Sequence, residues 1–134
     1  MTAAPLLQVK DLEVSVNREW PIVEQLSFSV GRGETVGLVG ESGCGKSLTA
    51  LTIMRLLAGN LSITGGSILF EGTELTTLPE NKFRHLRGDR MAMIYQEPLT
   101  ALNPVMTIGS QLVEVLRTHR DMSKVEAARR AVEL

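Results

Sequence analysis

The sequence predicts an α/β fold in which a small antiparallel β layer precedes a parallel core. Two segments near the N-terminus alternate apolar and polar residues, as half-buried strands do. Residues 34–39 follow them and are mostly apolar, which is typical of a short strand buried on both faces. That segment leads through a glycine-rich loop into a helical pattern, and the succession of strand, loop and helix indicates the parallel core.

The N-terminal elements can be placed in order. Residues 6–16 and 23–30 are the two alternating strands, and Pro21 between them is excluded from a central strand because it lacks an N–H donor. The helical pattern of residues 46–57 ends before Gly59, a helix stop signal. Residues 67–75 predict two short strands around a turn at Glu71 and Gly72.

The remaining elements are mainly helical. Residues 79–87 predict a short polar helix with Pro79 in its first turn, and residues 91–95 predict another buried strand. A longer helix follows whose apolar residues share one face: Ile108, Leu112, Val115 and Leu116. Ser123 and Glu126 have the spacing of a capping box, which predicts the start of a last helix.

Composition and charge exclude several classes of protein. The 134 residues are 43% hydrophobic, which is too apolar for a disordered chain, and 14 basic residues against 15 acidic ones give no general attraction to nucleic acid. A single cysteine excludes an internal disulfide and a multi-cysteine metal site. No apolar run approaches the roughly 18 residues of a membrane span, and no signal-peptide pattern is found. We therefore expect a globular chain in a reducing compartment.

One segment carries a motif with a direct chemical meaning, G-x-x-x-x-G-K-[ST]. Its residues are Gly40, Glu41, Ser42, Gly43, Cys44, Gly45, Lys46 and Ser47. The glycines let the backbone approach phosphate oxygens closely, and successive N–H groups form an anion-binding nest at a helix N-terminus. Lys46 supplies a positive charge for the β- and γ-phosphates, and the Ser47 hydroxyl can ligate Mg²⁺. The segment therefore predicts a nucleoside-triphosphate site.

The motif alone leaves GTPases, kinases, helicases and transporter ATPases open. Two features narrow the choice: the antiparallel pair of strands before the loop, and Gln96 at the end of the predicted strand 91–95. A neutral carboxamide can contact Mg²⁺ or the attacking water through its carbonyl oxygen without changing the local charge.

Three segments resemble the nucleotide-binding subunits of ABC transporters. They read LSFSVGRGETVGLVGESGCGKS, GGSILFEGTEL and MAMIYQEPLTALNPVMTIGSQ. The last is similar to the ATPases of oligopeptide, dipeptide, nickel and glutathione importers, which have the pattern Q-E-P-x-x-x-L-N-P at the Q-loop. The resemblance extends over nearly the whole chain, from about residue 7 to residue 134.

This resemblance implies a P-loop NTPase (RecA-like) core. Residues 1–96 would form the β layer and this core, and residues 97–134 the Q-loop and the start of an α-helical subdomain. The ligands implied are ATP and Mg²⁺, with Ser47 and Gln96 holding the metal ion and Gln96 also sensing the γ-phosphate. Family members stack adenine on an aromatic residue near the first strands; Trp20 is the candidate here, and a surface or core-edge role is the alternative.

The resemblance also implies partners and a location. This subunit would bind a second ATPase subunit, identical or different, and transmembrane permease subunits. An extracellular solute-binding protein would be an indirect partner, and nucleic acid would not be a partner. The protein would be peripheral, at the cytoplasmic face of the membrane, and ATP hydrolysis would drive import of peptides or similar small solutes.

Four family motifs are missing from this sequence: the LSGGQ signature, the Walker B aspartate, the catalytic glutamate and the switch histidine. We therefore expect this stretch to be the N-terminal part of a longer ABC-type ATPase, with an incomplete fold and no catalytic residue of its own. Alone it should hydrolyse ATP feebly at best. In the family fold the Walker B strand lies between the strands predicted at 34–39 and 91–95, so both would lose a neighbour. The alternatives are a truncated, non-hydrolysing nucleotide-binding fragment and a soluble ABC-type ATPase that acts on nucleic acid or ribosomes.

Overall fold

The chain folds as two units. A computed structural model describes residues 4–134. The first unit extends to Phe83, and the second runs from Arg84 to Leu134.

A four-stranded sheet dominates the first unit. Its strands are β1 (Leu7–Val16), β2 (Trp20–Val30), β3 (Leu61–Phe70) and β4 (Thr73–Glu74). The spatial order is β2-β1-β3-β4, and each neighbouring pair is antiparallel. Pro21 lies on β2, at the edge of the sheet, where a missing N–H donor is tolerated. The predicted antiparallel layer is confirmed, and β3 starts earlier than the sequence pattern predicted.

The inward-facing side chains of the sheet form the core of this unit. Val9, Leu12, Val14 and Ile68 are at most 1% exposed, and Phe83 is fully buried. Burying an apolar side chain of this size stabilises a fold by roughly 1.5–3 kcal/mol. The apolar positions of β1 therefore explain why this central strand forms.

A β-bulge interrupts the pairing of β1 with both of its neighbours at Asp11, which has φ +45°. The Asp11 N–H donates to Ser27 Oγ at 2.8 Å, and the same hydroxyl donates to the Asp11 carboxylate at 3.1 Å. Gly66 faces the bulge with φ +81°, and a Cβ at this position would lie 2.4 Å from the carbonyl oxygens of Lys10 and Asp11. The bulge therefore requires glycine at position 66.

Helix α1 (Lys46–Ile53) follows the glycine-rich loop and ends before residue 57, the predicted end. Arg55 takes the left-handed φ of +52°. Its N–H donates to Thr52 O at 2.9 Å, and the Leu56 N–H donates to Leu51 O at 2.8 Å, which is the Schellman arrangement of a helix end. The predicted end was wrong because this position usually holds glycine, and the nearest glycine in the sequence is Gly59.

The strands predicted at residues 34–39 and 91–95 are not formed. Residues 34–39 have no regular secondary structure, and Val39 is 90% exposed. In 91–95 only Met91 makes a β-bridge, with Arg87, and Ile94 is 90% exposed. A strand needs a hydrogen-bonded neighbour along its length; within residues 4–134 no strand pairs with 34–39, and residues 91–95 have only the single bridge at Met91. Both segments are apolar, as predicted, but the pairing that would bury them is not formed among the described residues.

Helices make up most of the second unit. Helix α2 (Glu80–Leu86) begins in the first unit and ends in the second; a 3-10 helix (Pro98–Ala101), α3 (Ile108–His119) and α4 (Lys124–Glu133) follow. The predicted capping box opens α4: Ser123 Oγ accepts from the Glu126 N–H at 3.3 Å, and the Glu126 carboxylate accepts from the Ser123 N–H at 2.9 Å. Within residues 4–134 no helix has the length and apolar character needed to cross a membrane.

Candidate functional site

The glycine-rich loop of residues 40–47 makes a tight turn and continues into α1, whose first two residues are Lys46 and Ser47. Gly43 and Gly45 have φ values of +84° and +94°, and Gly45 is the N-cap of the helix. A Cβ at Gly40 would come within 2.5 Å of Cys44 Sγ, and a Cβ at Gly45 within 3.0 Å of Val23 Cγ2 on β2. The loop therefore needs small residues both for its own turn and for its contact with the sheet.

The ammonium group of Lys46 lies over this loop. Its Nζ donates to the carbonyl oxygens of Gly40 at 2.7 Å and Glu41 at 2.6 Å, and it lies 3.4 Å from Cys44 Sγ. These contacts place one positive charge at the mouth of the loop. Ser47, the next residue of α1, is exposed.

The N-terminus of α1 adds backbone donors to this charge. Within the described part of the chain, no side chain caps Gly45 and no acidic residue lies in the first turn of α1. First-turn N–H groups have no acceptor inside a helix, and the helix dipole gives them a partial positive charge. Thr49 donates its N–H and its hydroxyl to Gly45 O, at 2.8 and 2.9 Å, and so fixes the start of α1. The Lys46 ammonium and the first-turn N–H groups of α1 together fit an anion with several oxygen atoms, such as a polyphosphate.

A cleft of about 180 Å³ opens beside the loop. Strand β2, the irregular segment before the loop, the loop itself and α1 line it, with Val23, Glu24, Leu26, Leu38, Val39, Cys44, Lys46 and Thr49. Most of its wall is apolar, and Lys46 supplies its one basic group. Of these eight residues the motif includes Cys44 and Lys46, and the other six were not predicted from the sequence. Val23 is one of the six, although the alternating pattern shows it as the first apolar residue of the second strand.

The other two predicted site residues lie on different parts of the chain. Trp20 is the first residue of β2, pairs with Val16 and is 69% exposed. Ile22, two residues later in the sequence, has its carbonyl oxygen 3.7 Å from the position of a Cβ at Gly45. Gln96 belongs to the second unit, in an exposed bend before the 3-10 helix. Adenine stacking by Trp20 and metal binding by Gln96 stay predictions.

Comparison with known proteins identifies the family. The family profile described as "ABC transporter" matches residues 23–134. The chain belongs to the ABC transporter family. Similar family members include the oligopeptide transport ATP-binding proteins OppD of Escherichia coli (strain K12), 48% identical over 135 residues, and AppD of Bacillus subtilis (strain 168), 48% identical over 133 residues. These alignments cover 98% and 96% of this chain but 40% of each relative, so the chain spans about two fifths of their length.

Solved structures of ABC proteins share this fold. The ATP-binding cassette MJ0796, in a dimeric post-hydrolysis state bound to ADP and Pi, superposes with a TM-score of 0.78 at 21% identity, over 95% of this chain and 54% of that one. An ATP-binding subunit of an ABC transporter superposes with a TM-score of 0.63 at 28% identity, over 90% of this chain and 45% of that one. The predicted α/β class, with the fold of an ABC cassette, is confirmed.

Proposed function

We propose that this chain is the N-terminal part of the ATP-binding subunit of a peptide importer. Residues 1–96 form its β layer and nucleotide-binding core, and residues 97–134 form the Q-loop and the start of its helical subdomain. The observation that carries the proposal is the loop of residues 40–47, with the Lys46 ammonium at its mouth, in a chain 48% identical to proteins named for oligopeptide transport. The greater length of those relatives supports a longer cassette.

In this proposal the loop binds the phosphates of ATP. Lys46 exchanges the carbonyl oxygens of Gly40 and Glu41 for oxygens of the β- and γ-phosphates, while the N–H groups at the start of α1 donate to the same chain of oxygens. The exposed Ser47 hydroxyl and, as the family resemblance implies, the Gln96 carboxamide would hold Mg²⁺, which when bound would neutralise phosphate charge. Trp20 stacks on the adenine ring.

The complete protein would couple ATP hydrolysis to transport. The relatives are named as oligopeptide transport or peptide import ATP-binding proteins, which supports import of peptides in partnership with membrane permease subunits. The dimeric cassette structures support pairing with a second ATPase subunit. The protein would then be peripheral, at the cytoplasmic face of the membrane. The same names favour an importer over an ATPase that acts on nucleic acid or ribosomes.

Peptide uptake by cells tests this function. Cells that lack the gene should take up a radiolabelled oligopeptide only when the complete gene is restored, and their uptake of a free amino acid should be the same in both cases. Equal peptide uptake with and without the gene would contradict the proposal.

Cys44 offers a chemical probe of the phosphate site. Its thiol is exposed and its sulfur lies 3.4 Å from Lys46 Nζ, so a molecule held by Lys46 should cover it. A maleimide should modify Cys44 in the complete protein, and MgATP at ten times its Kd should slow the reaction about tenfold, because only about a tenth of the sites stay free. The Lys46→Ala variant, with the site weakened, is the control and should show little protection. Equal rates with and without MgATP in the wild type would contradict this placement of the site.

A further inference from the structure

Arg55 ties the C-terminal end of α1 to the segment that follows the sheet. Its guanidinium donates to the carbonyl oxygen of Leu78 and, at 3.4 Å, to that of Leu75. One of its nitrogens lies 3.6 Å from the Glu80 carboxylate, and its Cζ stands 4.9 Å from the centre of the buried Phe83 ring. The side chain therefore has hydrogen-bond, ionic and cation–π contacts at once, a combination that suits the fixed fork of donors of a planar guanidinium.

The backbone of Arg55 has a conformation that favours glycine over arginine. Its φ of +52° is left-handed, a conformation that is unfavourable for an L-residue because its Cβ crowds a carbonyl oxygen, and that suits glycine at the end of a helix. Glycine would thus satisfy the helix end better than arginine does. The contacts of the guanidinium offset that cost and give a physical reason for arginine at this position.

We propose that Arg55 is a positioning residue for the phosphate-binding loop, which it orients by anchoring the far end of α1. The proposal rests on the proposed function of residues 40–47. Helix α1 has 8 residues and is therefore about 12 Å long, so a rotation of about 5° around its C-terminal end would displace the loop by about 1 Å. A displacement of about 1 Å can cost up to 100-fold in activity at a precisely arranged site. At its other end α1 meets β2 through Gly45 and Val23, and its two threonines are buried between the two ends. Arg55 therefore adds a point of support at the end farthest from the loop.

The test separates the side chain from the backbone. Arg55→Gly keeps the left-handed helix end and removes the side chain together with its guanidinium. Its matched control is Glu71→Gly. Glu71 also has a positive φ, +48°, and forms an ion pair, with Arg32 at 2.5 Å, but it lies in the β3–β4 turn and not on α1. MgATP affinity of the complete protein is measured with a fluorescent ATP analogue, at a temperature where circular dichroism shows each variant to be more than about 99% folded. Under that condition a loss of stability alone leaves Kd unchanged, because the apparent Kd is the intrinsic Kd divided by the competent fraction, which stays near one.

We expect Arg55→Gly to weaken MgATP binding about tenfold and Glu71→Gly to stay within about twofold of the wild type. A wild-type Kd in Arg55→Gly, while Lys46→Ala loses binding, would overturn the positioning role and leave the proposed function standing. A wild type that does not bind MgATP would contradict the proposed function, and the role of Arg55 would fall with it. If Arg55→Gly does not fold, Arg55→Met is measured in the same way. Methionine keeps an unbranched apolar stem without the charge or the donors, and a wild-type Kd there overturns the proposal.

Discussion

Replacing Lys46 with alanine should weaken MgATP binding by the complete protein roughly 10- to 100-fold and lower its rate of ATP hydrolysis by about 100-fold or more. Hydrogen bonds to charged groups contribute about 1.5–3 kcal/mol each, and about 1.4 kcal/mol corresponds to a tenfold change in affinity. The larger effect on hydrolysis follows because a preorganised donor at the developing charge stabilises the transition state, where its loss costs about 100- to 1,000-fold.

Release of phosphate by the complete protein measures this effect, and Lys10→Ala is the matched control. Lys10 is an exposed lysine of β1, outside the loop, and its removal changes the net charge by the same amount. Circular dichroism of the two variants should match, because the ammonium of Lys46 contacts the loop carbonyls and the neighbouring thiol and its loss leaves no buried group unpaired. Hydrolysis by Lys46→Ala at the rate of Lys10→Ala would show that the charge at the loop has no part in the reaction.

The second large effect concerns stability and lies in the sheet. Gly66→Ala should destabilise the first unit by about 3–5 kcal/mol, because left-handed strain and overpacking each cost about 1–3 kcal/mol. The clash is with backbone: the added Cβ would lie 2.4 Å from the carbonyl oxygens of Lys10 and Asp11, on the central strand β1. Neither oxygen can move without disturbing the bulge.

Thermal unfolding of the complete protein measures this loss, with Gly72→Ala as the control. Gly72 has a similar φ of +79°, but a Cβ there would meet no atom within 4 Å, so only the strain of about 1–2 kcal/mol is expected. Gly66→Ala should lower Tm by about 10 °C, and Gly72→Ala by about 2–4 °C. Equal shifts in the two variants would mean that the bulge adjusts to a side chain at position 66.

Locally determined elements were predictable from the sequence. Alternating residues located β1 and β2, the turn at Glu71 and Gly72 located the hairpin of β3 and β4, and the spacing of Ser123 and Glu126 located the start of α4. In each case the decisive contacts join residues close together in the chain or follow from side-chain period alone. The start of β3 was missed because its early residues pair with β1, a partner far away in sequence.

Elements that depend on distant partners were not predictable in this way. The apolar segments at 34–39 and 91–95 have strand composition, yet no strand forms where no neighbour pairs with them. The early end of α1 depends on Arg55, because contacts 20 or more residues ahead in the chain, with Leu75 and Leu78, offset the cost of its left-handed backbone. A residue-by-residue propensity for helix contains no term for such contacts.

The candidate site likewise has a part that is determined locally and a part that depends on tertiary contacts. The loop of residues 40–47 is one contiguous motif, and its geometry follows from its glycines, so sequence alone located it. The parts that sequence could not place are Val23, which supports Gly45 from the sheet, and Arg55, which anchors the far end of α1. Both act through tertiary contacts and neither has a motif of its own.

Competition binding on the complete protein tests the central claim, that the loop of residues 40–47 recognises the phosphates of ATP. A fluorescent ATP analogue is bound in the presence of Mg²⁺ and then displaced by ATP, by inorganic tripolyphosphate or by adenosine. The account predicts saturable binding, displacement by ATP and by tripolyphosphate, and little displacement by adenosine at the same concentration. Displacement by adenosine as effective as that by ATP, with none by tripolyphosphate, would contradict it.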